Sequence, residues 1–281
     1  MAYYFRGARR MAFIEINNVN VHYECWNEAG TETIIFLHGF TGSTKTWHEV
    51  VPLLPTTYRI IAVDLIGHGL TDSPDDSSFY MMEYQIELLH VLFDRLQLSP
   101  FHLVGYSMGG RVALSYAVRY PNELASLILE SATPGLMDEE ERMDRQLSDQ
   151  ALAKKIVQEG VEAFIKFWEN IPLFASQKKM SEERKQKLRN ERHSQNAQGL
   201  ANSLRMMGTG VMPFLWHKLN AIPFKLTLMT GELDTKFINI ANTMQQVNKE
   251  IHHITVPSVG HAIHVENPQK FATIVKEAIS I

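Results

Sequence analysis

Apolar positions along the chain come in short runs, and the spacing changes from run to run. Phe13, Ile14 and Ile16 precede a turn at Asn17-Asn18, after which Val19, Val21 and Tyr23 alternate with polar residues. That period of two predicts a pair of half-buried strands over 13–26. Ile34 to Leu37, Tyr58 to Val63, Phe101 to Val104, Leu124 to Leu129, Phe224 to Thr230 and Ile251 to Val256 are short runs, mostly apolar and bounded by turn residues. They predict strands covered on both faces. Between two of them, Ile86, Leu89, Val91, Leu92, Phe93 and Leu96 recur at helical spacing within 79–98, which predicts a helix over one sheet face. Val112, Ala113, Leu114, Tyr116 and Ala117 predict another, and a last helix runs from Pro268 to the end. Strand and helix alternate as far as residue 133, which predicts an α/β fold with a mostly parallel sheet and helices on both faces. The alternation then stops. From Asp138 to about Lys218 the chain is charged and helical, with segments at 159–168, 182–192 and 199–207. The expected division is an N-terminal extension at 1–12, a core at 13–133 and 219–281, and an inserted helical cap at 134–218. Such a cap roofs the carboxyl ends of the strands, where ligands bind in open α/β sheets.

Composition narrows the function classes. A chain of 281 residues holds one large domain with a sizeable core. The formal net charge of -4 gives no reason to expect nucleic acid. Cys25 is the single cysteine, so neither a disulfide framework nor a cysteine metal cluster is expected, and a cytoplasmic location is favoured. Nothing has metal-ligand spacing, and no cofactor is expected. Residues 1–10 carry three aromatics and three arginines without the apolar centre of a signal peptide, and no run is long enough to insert in a membrane. The oligomeric state is not set by the sequence; a monomer is compatible with it.

The chemistry gathers at Gly105-Tyr106-Ser107-Met108-Gly109, a G-x-S-x-G pentapeptide between a predicted buried strand and a predicted helix. In that context it reads as a nucleophile elbow, where a tight turn thrusts the serine out and flanking glycines avoid collisions. His38-Gly39-Phe40, after the Ile34 to Leu37 strand, reads as an oxyanion loop. The backbone N–H groups of Phe40 and Met108 are its candidate donors. Asp64-Leu65-Ile66-Gly67-His68-Gly69 reads as a structural turn rather than a catalytic pair. Asp234 ends the loop after the 224–230 strand, with Glu232 as a competing acid, and His261 follows the 251–256 strand. Among the twelve histidines, only His261 has the required order and spacing. Ser107, Asp234 and His261 stand in the chain order of an α/β-hydrolase triad. A serine hydroxyl is too weak an acid to react at neutral pH. A histidine can take its proton, and an aspartate fixes the histidine tautomer.

His38-Gly39-Phe40, Asp64 to Gly69, the elbow, Gly231-x-x-Asp234 and Gly260-His261 together resemble the α/β-hydrolase superfamily across essentially the whole chain. The fold alone leaves the substrate open. Arg111 narrows it. A cation in the first turn of a helix opposes the helix dipole, so an arginine there points to an anionic substrate group or to a solvated outward side chain. A further series consists of Tyr106 to Arg111, Ser131 to Leu136, Glu141-Arg142-x-x-Arg145, Ser148-Asp149, Phe167-Trp168, Ile171 to Phe174, Arg192, Gly199 to Ala201, Gly208 to Gly210 and Asp234 to Phe237. It resembles the 2-succinyl-6-hydroxy-2,4-cyclohexadiene-1-carboxylate synthases of menaquinone biosynthesis. The resemblance implies a lyase rather than a hydrolase. Ser107, poised by His261 and Asp234, removes a proton from a cyclohexene carboxylate, and pyruvate is eliminated. It also implies a small multi-carboxylate substrate bound by Arg111, Arg145 and Arg192, with Tyr106, Trp168 and Lys236 lining the pocket. Arg142 competes with Arg145, and Arg189 with Arg192, because helical register is uncertain by a residue or two. Two other readings stay open from sequence. One is a serine carboxylesterase or carbon–carbon bond hydrolase acting on an acidic substrate; the other is a non-catalytic ligand-binding protein of the same fold.

Overall fold

The computed structural model describes residues 9–280. Its strands are β1 (Arg9–Ile16), β2 (Val19–Trp26), β3 (Glu32–Leu37), β4 (Tyr58–Val63), β5 (Phe101–Tyr106), β6 (Leu124–Glu130), β7 (Lys225–Gly231) and β8 (His252–Val256). They form one sheet in the order β1-β2-β4-β3-β5-β6-β7-β8. β1 pairs antiparallel with β2, and β2 with β4. Every pairing from β4 through β8 is parallel. Asn17 and Asn18 both adopt positive φ, 50° and 61°. They make the two-residue hairpin turn whose twist matches its strands, and asparagine tolerates that conformation.

The helices are α1 (Met82–Arg95) and α2 (Met108–Arg119), then α3 (Glu139–Trp168), α4 (Glu182–His193) and α5 (Ala197–Met207) between β6 and β7, and finally α6 (Thr235–Val247), α7 (Ile263–Glu266) and α8 (Pro268–Ile279). Alternate residues of the buried strands feed opposite cores, as the two-residue period of a strand requires. Ile35 and Leu37 of β3 pack with α1, α2 and α6. Ile34 and Phe36 pack on the other face with Trp47 and α8.

β1 begins at Arg9, four residues before the expected Phe13, so 9–12 belong to the sheet rather than to an extension. The added turn of pairing is held by ion pairs of Arg9 with Glu24 at 3.1 Å and Arg10 with Glu28 at 3.0 Å. The rest of the expected extension, residues 1–8, lies outside the described residues. Between β6 and β7 the chain is helical. Asp138 caps α3 by accepting the Glu141 N–H at 2.9 Å, beside three glutamates in the first turn that favour the positive end of the helix dipole. Gly160, at φ 82°, breaks α3, so the expected amphipathic helix at 159–168 is its second limb. Ile156, Phe164 and Ile165 of α3 bury against Leu200, Ala201 and Leu204 of α5. Among the described residues, no helix is long and apolar enough to cross a membrane.

Candidate active site

Ser107 sits between β5 and α2 at φ 50° and ψ -105°, a conformation that costs a non-glycine residue about 1–3 kcal/mol. The turn closes because its flanks carry no side chain. A Cβ on Gly109 would lie 2.3 Å from the Leu37 carbonyl oxygen, and one on Gly105 would lie 2.5 Å from the Gly109 carbonyl oxygen. The strain is offset by two backbone bonds: the Ser107 N–H donates to the Glu130 carbonyl at 2.8 Å, and the Arg111 N–H donates to the Ser107 carbonyl at 3.1 Å.

The three expected residues meet. His261 Nε2 is 3.0 Å from Ser107 Oγ, and His261 Nδ1 is 2.6 Å from Asp234 Oδ2. Asp234 and His261 are buried. A carboxylate can only accept, so Nδ1 carries the proton and Nε2 is left to take one from the serine. Asp234 is positioned as the cap of α6, accepting the Phe237 N–H at 3.4 Å. Glu232, the competing acid, accepts the Ser258 N–H at 2.8 Å instead and does not reach the histidine.

Phe40 and Met108 both line the cavity in front of Ser107. Among the described residues neither backbone N–H has a hydrogen-bond partner. His38 shapes this loop. Its Nδ1–H donates to the Gly39 carbonyl at 2.8 Å, and its Nε2 accepts the Leu65 N–H at 3.0 Å. Those roles fix a neutral ring, and burial pushes its pKa down. Asp64 is structural, accepting from Thr44 N at 2.6 Å, Leu70 N at 2.8 Å and His22 Nδ1 at 2.7 Å. His68 packs edge-on against Phe40 from behind, with ring centroids 5.8 Å apart. Burial, reinforced by His38, lowers its pKa to about 3.

The cavity has a volume of about 140 Å³. Tyr106, Arg111, Arg145, Trp168 and Lys236 all line it, and among the described residues no aspartate or glutamate does. It shares Thr133, Leu136, Arg145, Lys236 and Ile240 with a wider outer cleft of about 630 Å³. Arg111 is buried, and its Nη1 donates to the Met207 carbonyl. Burial, and secondarily the charge of Arg145, lower its pKa to about 10, so it remains a cation at neutral pH. Arg145 is held by Asp149, with Nε 2.9 Å from both carboxylate oxygens. Its two terminal nitrogens have no partner among the described residues. Arg142, the alternative, pairs with Glu139 at 3.7 Å and is not in the lining.

Arg192 differs from expectation. It is buried, but it does not line this cavity. Its guanidinium lies over the Phe174 ring at 4.8 Å and donates to Gln177 Oε1 at 3.3 Å. Phe174, from the 3-10 segment Pro172–Lys179, is itself part of the cavity wall. Arg189 is further out, doubly paired with Glu169 at 3.0 Å. Phe237, Ser203, Thr133 and Thr209 also line the cavity; none was named as a site residue from sequence, although all but Ser203 lie in the stretches that carry the resemblance. Phe237 carried the best signal, since it directly follows Lys236; its ring packs 4.7 Å from that of His261. Among the described residues there is no cluster of three or more His, Cys, Asp or Glu side chains placed to hold a metal.

Comparison with known proteins accords with this geometry. The alpha/beta hydrolase fold family matches residues 32–268. A protein of Bacillus subtilis (strain 168), described as a putative 2-succinyl-6-hydroxy-2,4-cyclohexadiene-1-carboxylate synthase, is 42% identical over 250 residues, covering 89% of this chain and 91% of its own. The 2-succinyl-6-hydroxy-2,4-cyclohexadiene-1-carboxylate synthase of Salmonella paratyphi B is 33% identical over 241 residues, covering 86% and 91%. The solved structure of MenH from S. aureus superposes with a TM-score of 0.86 at 33% identity, over 97% of both chains.

Proposed function

We propose that this chain, which belongs to the 2-succinyl-6-hydroxy-2,4-cyclohexadiene-1-carboxylate synthases of the alpha/beta hydrolase fold, forms that product in menaquinone biosynthesis by eliminating pyruvate from 2-succinyl-5-enolpyruvyl-6-hydroxy-3-cyclohexene-1-carboxylate. The hydrogen on ring carbon 2 is acidic because it lies beside the succinyl ketone. Ser107 Oγ takes it while passing its own proton to His261 Nε2, and Asp234 steadies the imidazolium. The electrons of the broken C–H bond become the double bond between carbons 2 and 3. The existing double bond moves to carbons 4 and 5, and the bond from carbon 5 to the enolpyruvyl oxygen breaks. The leaving group departs as the enolate of pyruvate and regains a proton from the imidazolium, which restores the triad. Negative charge on the ketone oxygen is met by the Phe40 and Met108 N–H groups, each donor of this kind being worth about 10²–10³ in rate.

The observation that supports this reading is the charge of the cavity. Three cations, Arg111, Arg145 and Lys236, line it and, among the described residues, no carboxylate does, Glu141 and Asp144 bordering only the wider cleft, while the substrate brings three carboxylates. A small cavity joined to a wider cleft also suits a ring with extended arms. The lone unpaired Cys25 supports a reducing, cytoplasmic setting.

The test is to give the purified protein the enolpyruvyl substrate and to follow pyruvate with a coupled dehydrogenase, running a p-nitrophenyl ester beside it. Pyruvate release far above the spontaneous rate, with little ester cleavage, is expected. Spontaneous-rate release with efficient ester cleavage would return the protein to the serine hydrolases.

A further inference from the structure

The Ser107 to His261 contact joins two loops that follow different strands, β5 and β8, with β6 and β7 between them in the sheet. Something must hold those loops in register. We infer that Glu130 and His264 are positioning residues that set the separation of Ser107 and His261; the inference rests on reading those two as the reacting pair.

Glu130 is the last residue of β6 and is fully buried. It grips both loops at once. Its backbone carbonyl accepts the Ser107 N–H at 2.8 Å. Its carboxylate accepts the His264 backbone N–H at 3.1 Å through Oε1 and the His264 Nδ1–H at 2.7 Å through Oε2. His264 lies three residues past His261, and its remaining nitrogen meets Thr46 Oγ1 at 2.9 Å. The His264 ring is wedged between Trp47, with centroids 4.6 Å apart, and Tyr106, at 4.5 Å, and Tyr106 directly precedes the serine. One residue therefore connects the backbone of the serine to the loop of the histidine, with no intermediary.

Neither side chain lines the cavity, so neither touches substrate. A fully buried carboxylate is costly unless it is paired and hydrogen-bonded. An apolar residue at the end of β6 would be the ordinary filling, as at Ile128 and Leu129 before it. What the carboxylate supplies is direction: two N–H donors of one loop converge on it. Without it both donors lose their acceptor and the loop is free to relax. A displacement of about 1 Å at a reacting pair can cost about 10²-fold in rate.

The experiment compares Glu130→Ala with Glu130→Gln in the full chain. Glutamine keeps an oxygen for the His264 N–H. Its amide can donate to Nδ1 once the imidazole moves its proton to Nε2, facing the Thr46 hydroxyl. The primary readout is the rate at which a fluorophosphonate labels Ser107, which depends on serine–histidine alignment and not on the identity of the substrate. The second is kcat and KM for pyruvate release, measured well below each variant's thermal midpoint. Glu130→Ala should label about 30-fold or more slowly and lose kcat in proportion with KM within about threefold, while Glu130→Gln recovers most of the rate. If Glu130→Ala does not fold, His264→Leu and His264→Asn take its place, because asparagine restores a donor near the Nδ1 position. Asparagine should then outpace leucine in labelling. Parental labelling by folded Glu130→Ala, equal loss in the alanine and glutamine variants, or parity of the two His264 variants would overturn the assignment. A labelling pattern as expected without any pyruvate release would sink the lyase reading and leave the positioning role intact.

Discussion

Replacing Arg111 with methionine isolates the contribution of one buried cation. Methionine keeps the length and most of the volume of the side chain, so packing against α5 should change little. Burial has brought the Arg111 pKa down to about 10. At about 1.4 kcal/mol for each tenfold, that fall corresponds to roughly 3 kcal/mol of lost charge stabilisation. Only the Met207 carbonyl and the charge of Asp149 act against that cost in the free protein. A substrate carboxylate would return a comparable amount, in line with the roughly 2–5 kcal/mol lost when one member of a buried charged pair is truncated. The expected result is a fall in kcat/KM for the enolpyruvyl substrate of about 10²-fold. Two controls bracket it. Fluorophosphonate labelling of Ser107 should stay near the parental rate, because the triad does not use Arg111. The thermal midpoint of the ligand-free variant should not fall, since an under-paired buried charge has gone. Equal losses in turnover and labelling, with a lower midpoint, would show that Arg111 braces α2 against the Met207 carbonyl and does not bind substrate.

Three shorter predictions follow from the same geometry. Ser107→Ala should lower kcat for pyruvate release by about 10³-fold or more without shifting the thermal midpoint downward; retention of most activity would place the base elsewhere. Lys236 is exposed at the mouth of the cavity, so Lys236→Ala should raise KM by about three- to tenfold with kcat nearly unchanged, the effect shrinking in high salt. A fall in kcat at constant KM would contradict a role confined to capture. Glu191 is buried, its Oε1 accepting the Ser43 hydroxyl at 2.7 Å, and burial raises its pKa above the usual carboxylate range. The folded protein therefore binds that proton more tightly than the unfolded chain. Stability contributed by the neutral form is present at low pH and is lost as pH rises through the raised value. Glu191→Gln should gain about 2–4 °C in thermal midpoint over the parent at pH 8, and the gain should vanish towards pH 4.5; a gain that is constant with pH would refute the assignment.

The meeting of Ser107, Asp234 and His261 could be read in advance because each follows a strand. Ser107 comes after β5, Asp234 after β7 and His261 after β8. A parallel sheet brings the carboxyl ends of its strands to one edge whatever else the chain does, so the order of residues already determines their neighbourhood. β3 was equally open to reading, since a strand buried on both faces has to be apolar throughout. The start of β1 was not. Arg9, Arg10 and Met11 are exposed on an edge strand, and edges are kept charged to discourage further pairing. A charged strand end therefore resembles a tail until its partners, Glu24 and Glu28, are located across the sheet.

The cap residues were harder to place for a different reason. Their orientation is decided by contacts distant in sequence. Arg142 and Arg145 lie three apart on one helix, and periodicity cannot choose between them. Asp149, four residues on, holds Arg145 at the cavity, a local clue that spacing alone does not weigh against Glu139 pairing with Arg142. Arg192 was expected beside the substrate, but its guanidinium lies over the ring of Phe174, and it is Phe174 that lines the cavity. That segment packs against Trp168, with centroids 5.7 Å apart. Trp168 in turn meets Phe40, after β3, at 5.4 Å, and Phe164 meets the same ring at 6.1 Å. The second limb of α3, freed by the break at Gly160, thus packs Trp168 into the lining of the cavity and holds the side chain of Phe40, which lines the same cavity as Ser107. Phe40, Phe164, Trp168 and Phe174 form one aromatic cluster. The helical stretch between β6 and β7 therefore sets which cations line the cavity by packing that also reaches Phe40, and this coupling lies in the contacts of separate segments, beyond what the spacing of residues along any one of them can express.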